Sequence, residues 1–359
     1  MTWLLDRRAA CAGLLASGLV AAAPGPRLIP ATDPALHFEG RTQVTAPGVV
    51  TIAYPGIVLR FVSEASMVAL RCRSTNGDAF IEVSVDGAPP RVVRLAAGEQ
   101  SVPLASGPRA RRRIEILRRT APWLSVMDIV GIETDGTVAP PPPPPSRRLL
   151  FIGDSITCGS NAEWPDLTAP EGPQHENARV TYAAELARRL NAQRHLIAYG
   201  GRGVIREWTG GRTLVNAPTF YDRALPDDPA SHWDATRYVP HVIGICLGTN
   251  DFNAGIPDQA EFVTAYAEFI AKVRRDAPRA PVFVIDSPMT ADSPTDGPRR
   301  TVQIAYLDEV VARCASPLVR HANIRHYPGR PGKDAHPIAE QHRAMADELD
   351  PLFRAALNG

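Results

Sequence analysis

Six consecutive prolines, Pro140 to Pro145, divide the chain. Proline lacks a backbone N–H and holds φ near −65°, so such a run fits neither a helix nor an inner strand. It stands as extended polyproline II, a semi-rigid spacer of ~3.1 Å per residue. The 359 residues must therefore fold as separate pieces on either side, and 44 % hydrophobic residues supply enough apolar material for two domains. We place the linker at 139–146, with one domain over 31–138 and another over 147–359.

The patterning differs across that boundary. Before it, Ile81, Val83 and Val85 alternate with Glu82 and Ser84, and the Asp86-Gly87 turn follows. Ile114 and Ile116 alternate with Arg113 and Glu115 in the same way. A period of two puts one face of each strand in a core. Several such runs without a convincing helix point to an antiparallel β-sandwich of jelly-roll type. After the prolines, Leu149–Ile152, Val242–Leu247 and Val282–Ile285 are unbroken apolar runs, as in strands buried on both faces. Helical patterns lie between them. Asp258 with Glu261 makes a capping box ahead of Phe262, Ala265, Tyr266, Phe269 and Val273, and a last helix spans about Ile338 to Phe353. The expected fold is α/β, a three-layer α/β/α domain on a parallel sheet, preceded by the β-sandwich.

Met1 to Ala23 reads as an export signal: Arg7 and Arg8, an uncharged stretch from Ala9 to Val20, then Ala21-Ala22-Ala23. The adjacent arginines also permit a twin-arginine signal. That apolar run is too short for a ~30 Å bilayer core. The expectation is a secreted or periplasmic protein without membrane insertion, a monomer by default. Lys and Arg number 39 against 38 Asp and Glu, a formal charge of +1, and counterion release gives such a chain no hold on nucleic acid. Arg111–Arg113 with Arg118 and Arg119 accordingly read as a solvated strand face. Beyond the leader, Cys72, Cys158, Cys246 and Cys314 are scattered without metal-ligand spacing, so buried free thiols are expected and no metal or other cofactor.

Three stretches fall at the ends of strands or the start of a helix, where parallel sheets bind ligands. They are Gly153-Asp154-Ser155-Ile156-Thr157, Gly248-Thr249-Asn250-Asp251 and Asp334-Ala335-His336-Pro337. A hydrolytic serine needs a base, a group that orients the base, and donors for the developing oxyanion. Ser155, His336 and Asp334 fill the first three roles, and the Asn250 amide with backbone N–H groups fills the last. Each stretch alone is a common turn or helix cap; together they are hard to explain by packing.

These residues resemble the SGNH (GDSL-type) hydrolase superfamily, and within it carbohydrate esterase family 2, whose members join a jelly roll to an SGNH domain. The likeness covers nearly all of the chain beyond the leader. It rests on Gly153–Gly159, Glu176-Asn177 ahead of Thr181-Tyr182-Ala183, Gly201-Arg202-Gly203-Val204, Trp233-Asp234, Gly248–Phe252 and Asp334–Pro337. The resemblance implies removal of acetyl groups from plant cell-wall polysaccharides such as xylan and glucomannan. It implies Ser155 as nucleophile, His336 as base, Asp334 as its orienting acid or, as in some relatives, a backbone carbonyl in that place, and the N–H groups of Ser155 and Gly201 with the Asn250 amide as oxyanion hole. Gly200 departs from the serine many relatives carry, and Ala335 from an aromatic residue found in some. Trp208 and Trp164 are candidate sugar contacts, because pyranose rings present apolar C–H faces to indole; Trp233 reads as structural. Two rival readings remain at this level: an SGNH lipase, thioesterase or aryl esterase, and a carbohydrate-binding protein with an inactive hydrolase domain.

Overall fold

The computed structural model describes residues 25–166, 168–330 and 336–358. The expected leader, residues 1–23, lies outside the described residues.

Antiparallel strands come first. They are β1 (Arg27–Pro30), β2 (His37–Glu39), β3 (Gln43–Ala46), β4 (Val49–Ile52) and the long β5 (Val58–Ser74). There follow β6 (Phe80–Val85), β7 (Arg91–Arg94), the 21-residue β8 (Gly98–Arg118), β9 (Met127–Thr134) and β10 (Thr137–Ala139). All ten belong to one hydrogen-bonded sheet with the path β3-β4-β9-β5-β8-β6-β7. β5 pairs with β2 and β10 along its first half and with β9 along its second. Register shifts near Ala65 and Met67 mark where β5 and β8 bend. The sheet thus closes over Ile52, Leu59, Ile81, Ile116, Met127 and Ile129, which surround a shared interior.

Past the prolines the chain becomes α/β. Strands β11 (Arg147–Gly153), β12 (Ala192–Ala198), β13 (Val242–Cys246), β14 (Val282–Ile285) and β15 (Val319–Ala322) form a parallel sheet in the order β12-β11-β13-β14-β15. The helices are α1 (Ser155–Cys158), α2 (Tyr182–Arg189), α3 (Ala217–Phe220), α4 (Thr249–Asn253), α5 (Gln259–Asp276), α6 (Arg299–Cys314) and α7 (Ala339–Asn358). Leu149 and Phe151 on one face of β11 meet α2 and α7 through Leu186, Leu349 and Phe353. Ile152 and Ile245 on the other face meet α5 and α6 through Phe262, Tyr266 and Leu307. Asp258 caps α5 by accepting the Glu261 N–H at 2.9 Å, while the Glu261 carboxylate turns away to Arg212. Helix α7 continues past Phe353 because Pro351 is accommodated within it.

The two units are not held apart by the prolines. Tyr54 Oη donates to the Phe220 carbonyl at 2.7 Å, the Gly40 N–H donates to His195 Nε2 at 3.0 Å, and Arg194 N–H to Glu39 at 3.0 Å. Tyr54 and Ile57 share one apolar cluster with Ile152 and Phe220. The expected solvated arginines split accordingly. Arg111 and Arg113 are exposed, but Arg118 and Arg119 are each only 1 % exposed. They lie where β8 ends against the α/β unit. Arg119 pairs with Glu82 at 2.6 Å and donates to the Glu176 carbonyl at 3.0 Å. Glu82 also accepts from Asn177 at 2.9 Å and pairs with Arg179. Its side of β6 therefore faces protein and not water. Arg118 donates to the Ala53 carbonyl at 2.9 Å, and burial pushes its guanidinium down to about 10. Trp233 is likewise interior, with Arg41 and Arg237 over its ring at 5.2 and 4.6 Å. The four cysteines beyond the leader are free thiols. No described helix is long and apolar enough to cross a membrane.

Candidate active site

Strand β11 lies between β12 and β13, and the chain steps to β12 on one side before returning to β13 on the other. Crevices open at the carboxyl ends of strands where the order reverses in this way. Ser155 is the first residue of α1, immediately beyond β11. The sharp exit is fixed by Asp154, whose Oδ1 accepts the Ile156 N–H at 3.0 Å and caps the helix. Beyond β13, Asn250 sits in α4; its Nδ2 donates to the Arg202 carbonyl at 3.0 Å and to Asp154 Oδ2 at 3.3 Å. Beyond β12, Gly201 takes φ of 72°, a left-handed conformation that disfavours a side chain. His336 arrives just ahead of α7, and its Nε2 lies 2.6 Å from Ser155 Oγ.

Ser155, Gly201, Asn250 and His336 thus line one cleft of about 760 Å³. Ser155 and Asn250 are 8 % and 6 % exposed, so both side chains lie at its floor. A serine hydroxyl within hydrogen-bond reach of an imidazole is the geometry of an activated nucleophile. Asp334 lies outside the described residues, as does Ala335. Among the described residues no three His, Cys, Asp or Glu side chains gather into a metal-holding group.

The structure separates the two candidate sugar contacts. Trp208 is 56 % exposed and lines the cleft. Trp164 is 2 % exposed, donates its Nε1–H to the Ala169 carbonyl at 3.2 Å and stacks on His175, so it packs the loop after Ser155 instead. Its indole is held inside by that carbonyl and ring, and Trp164 is not among the described residues that line the cleft.

Three residues that lie in the motif stretches, with no role assigned to them by the sequence, complete the surroundings. Asp251, next to Asn250 and fully buried, accepts the N–H groups of Val204, Ile205 and Arg206 at 3.0, 2.8 and 3.3 Å. One carboxylate therefore fixes the loop that follows Gly201. Burial raises the Asp251 carboxyl, and these three N–H bonds pull it back down. Asp154 is raised by burial to about 6. Glu176 reaches the cleft wall, accepting the Ala121 N–H at 2.8 Å and the Ser160 hydroxyl at 3.3 Å; burial raises it to about 7. The adjacency of Asn250 and Asp251 is a signal that could have revealed the second role, since neighbours entering a helix point to different sides. For Trp123, which reaches the same cleft from the antiparallel unit, no local signal exists.

The GDSL-like lipase/acylhydrolase family model matches residues 151–349, and the carbohydrate esterase 2 N-terminal model matches residues 38–144. An acetylxylan esterase/glucomannan deacetylase of Cellvibrio japonicus (strain Ueda107) is 35 % identical over 335 residues, covering 92 % of this chain and 91 % of that one. A solved family two carbohydrate esterase from Cellvibrio japonicus superposes with a TM-score of 0.87 at 33 % identity, covering 93 % of this chain and 98 % of that chain. A second, from Clostridium thermocellum in complex with cellohexaose, gives 0.83 at 29 % identity over 90 % of this chain and 99 % of that chain. With both units matched, the chain belongs to carbohydrate esterase family 2 of the GDSL-type hydrolases, a family of carboxylic ester hydrolases.

Proposed function

We propose that the protein is a serine esterase that removes O-acetyl groups from plant cell-wall polysaccharide, xylan or glucomannan, through an acyl-enzyme. The observation that carries this reading is the 2.6 Å contact between Ser155 Oγ and His336 Nε2 on the floor of the cleft. The names of the Cellvibrio japonicus relatives support the substrate class.

His336 Nε2 takes the Ser155 proton as Oγ attacks the acetyl carbonyl. The oxyanion is held by the N–H groups of Ser155 and Gly201 and by Asn250 Nδ2. Of the two bonds that Nδ2 makes, the longer one to Asp154 is the one an oxyanion takes over. The sugar hydroxyl leaves with the proton from His336, and water then releases acetate by the same steps. Asp334, two residues before the base, orients it in this reading. The division at the prolines into domains over 31–138 and 147–359, and export directed by residues 1–23, belong to the same proposal.

The test is acetate release from acetylated xylan and glucomannan, wild type beside Ser155→Ala, with 4-nitrophenyl acetate and a long-chain ester as controls. Acetate from polysaccharide is expected with the wild type and essentially none with the variant. Faster cleavage of the long-chain ester would move the enzyme to the lipases. Glycan binding without any acetate release would make it a binding protein.

A further inference from the structure

The antiparallel unit contributes more to the cleft than a supporting wall. Trp123 sits on a short 3-10 turn, Pro122–Leu124, between β8 and β9. It lines the cleft that holds Ser155 and is 41 % exposed. One face of its indole is spoken for. It stacks on Tyr199, with ring centroids 5.9 Å apart and planes 27° apart. It also lies over Gly200, where a Cβ would come within 2.2 Å of Cη2. The next residue repeats the arrangement: a Cβ on Gly201 would come within 3.0 Å of Trp208 Cδ1. Two consecutive backbone positions, their Cα atoms ~3.8 Å apart, therefore each carry an indole, one from either unit, beside the cleft glycine.

Neither ring is loosely held. The Ala121 N–H that starts the Trp123 turn donates to Glu176 at 2.8 Å, and the Leu124 carbonyl at its end accepts from Asn76. The Trp208 N–H donates to the Gly201 carbonyl at 2.9 Å, and its own carbonyl accepts from Asn253 at 2.9 Å. A large apolar surface kept rigid and wet is unfavourable unless something covers it in use. The acetyl group has no need of it, being bound at the floor. What rises from the floor on the other side of the ester oxygen is the sugar.

We propose that Trp123, reaching over from the antiparallel unit, adds a second indole to the sugar contact expected at Trp208, so that the antiparallel unit itself takes part in selecting polymeric substrate. This rests on the polysaccharide esterase reading above. Indole faces cover the C–H faces of the sugar ring, and the ligand class is a polysaccharide with equatorially linked pyranose units. Tyr199, with its hydroxyl tied to Asp227 at 2.9 Å, is the positioning residue beneath Trp123.

The experiment compares wild type, Trp123→Ala and Trp123→Phe, with melting temperatures measured alongside. For Trp123→Ala, kcat/KM on acetylated xylan or glucomannan should fall at least about tenfold, equivalent to ~1.4 kcal/mol. With 4-nitrophenyl acetate, which has no sugar, it should stay within about threefold. Trp123→Phe, which keeps a ring over Tyr199, should lie between on polysaccharide. In a Ser155→Ala background, Trp123→Ala should also weaken retardation by unacetylated xylan or glucomannan in affinity electrophoresis. Equal losses on polysaccharide and 4-nitrophenyl acetate, or unchanged values on both, would overturn the subsite. A wild type that cleaves 4-nitrophenyl acetate alone would instead remove the polysaccharide esterase reading, and the electrophoresis would still decide the subsite.

Discussion

Replacing Glu176 by Gln should make the protein more stable at pH 8 and leave it nearly unchanged at pH 5. The carboxyl is 5 % exposed, and burial raises it from its ordinary value of 4.5 to about 7. The Ala121 N–H, the Ser160 hydroxyl and the charges of His336 and Arg118 pull it down, but less strongly than burial pushes it up. The folded value lies above the unfolded one, so between pH 4.5 and 7 the native state holds a proton that the unfolded chain has lost. Stability therefore falls as pH rises through that window. The whole loss is reached above pH 7: about 2.5 units at 1.36 kcal/mol each, or about 3 kcal/mol. Glutamine keeps an oxygen for the Ala121 N–H, presents its NH₂ to Ser160, and cannot ionise. With ~2.1 cal/mol/K per residue over roughly 330 residues, the gain at pH 8 corresponds to about 4 °C in Tm. Thermal melts or urea titrations of both proteins at pH 5 and pH 8 read it directly. Parallel curves, with the same difference at both pH values, would refute the assignment of the penalty to a buried ionising carboxylate.

Two further substitutions test the oxyanion side. Asn250→Ala should lower kcat by about 10²–10³; an unchanged kcat would remove this amide from the site. Asp251→Ala leaves the N–H groups of Val204, Ile205 and Arg206 without their acceptor. At ~1–3 kcal/mol for each buried unsatisfied donor, urea unfolding should show a loss of several kcal/mol. kcat should fall with it as the loop behind Gly201 loosens.

The β11, β13 and β14 strands were legible because Leu149–Ile152 and its counterparts are apolar on both faces, and α5 because Asp258 precedes a clear helical stripe. β12 and β15 escaped. β12 opens with Ala192 and then Gln193-Arg194-His195, polar residues with partners in distant elements: Arg194 N–H meets Glu39, and His195 stacks on Tyr238 with centroids 3.5 Å apart. β15, at the sheet edge, places His321 between Asp286 and Asp308. Arg118 and Arg119 misled for the same reason. Arg119 looks solvated until the other unit supplies the Glu176 carbonyl, and Arg118 until the Ala53, Ala121 and Ser125 carbonyls of its own unit fold around it. In the site, residues following strand ends were readable from their spacing. Trp123 was not, because its place in the cleft depends on docking between units and not on any local pattern.

The shared interior between the two units also orders events during synthesis. The antiparallel sheet is finished in sequence once Ala139 has emerged, yet the chain cannot complete it then. Arg119 has only Glu82, Glu82 lacks Asn177 and Arg179, and Tyr54 still waits for the Phe220 carbonyl. These groups stay hydrated, and the apolar surface around Ile57 stays open, until roughly eighty further residues have left the ribosome and can fold against them. The antiparallel unit is thus made early but completed late. Its last contacts, at Arg119, Glu82 and Tyr54, form only when the α/β unit folds against it.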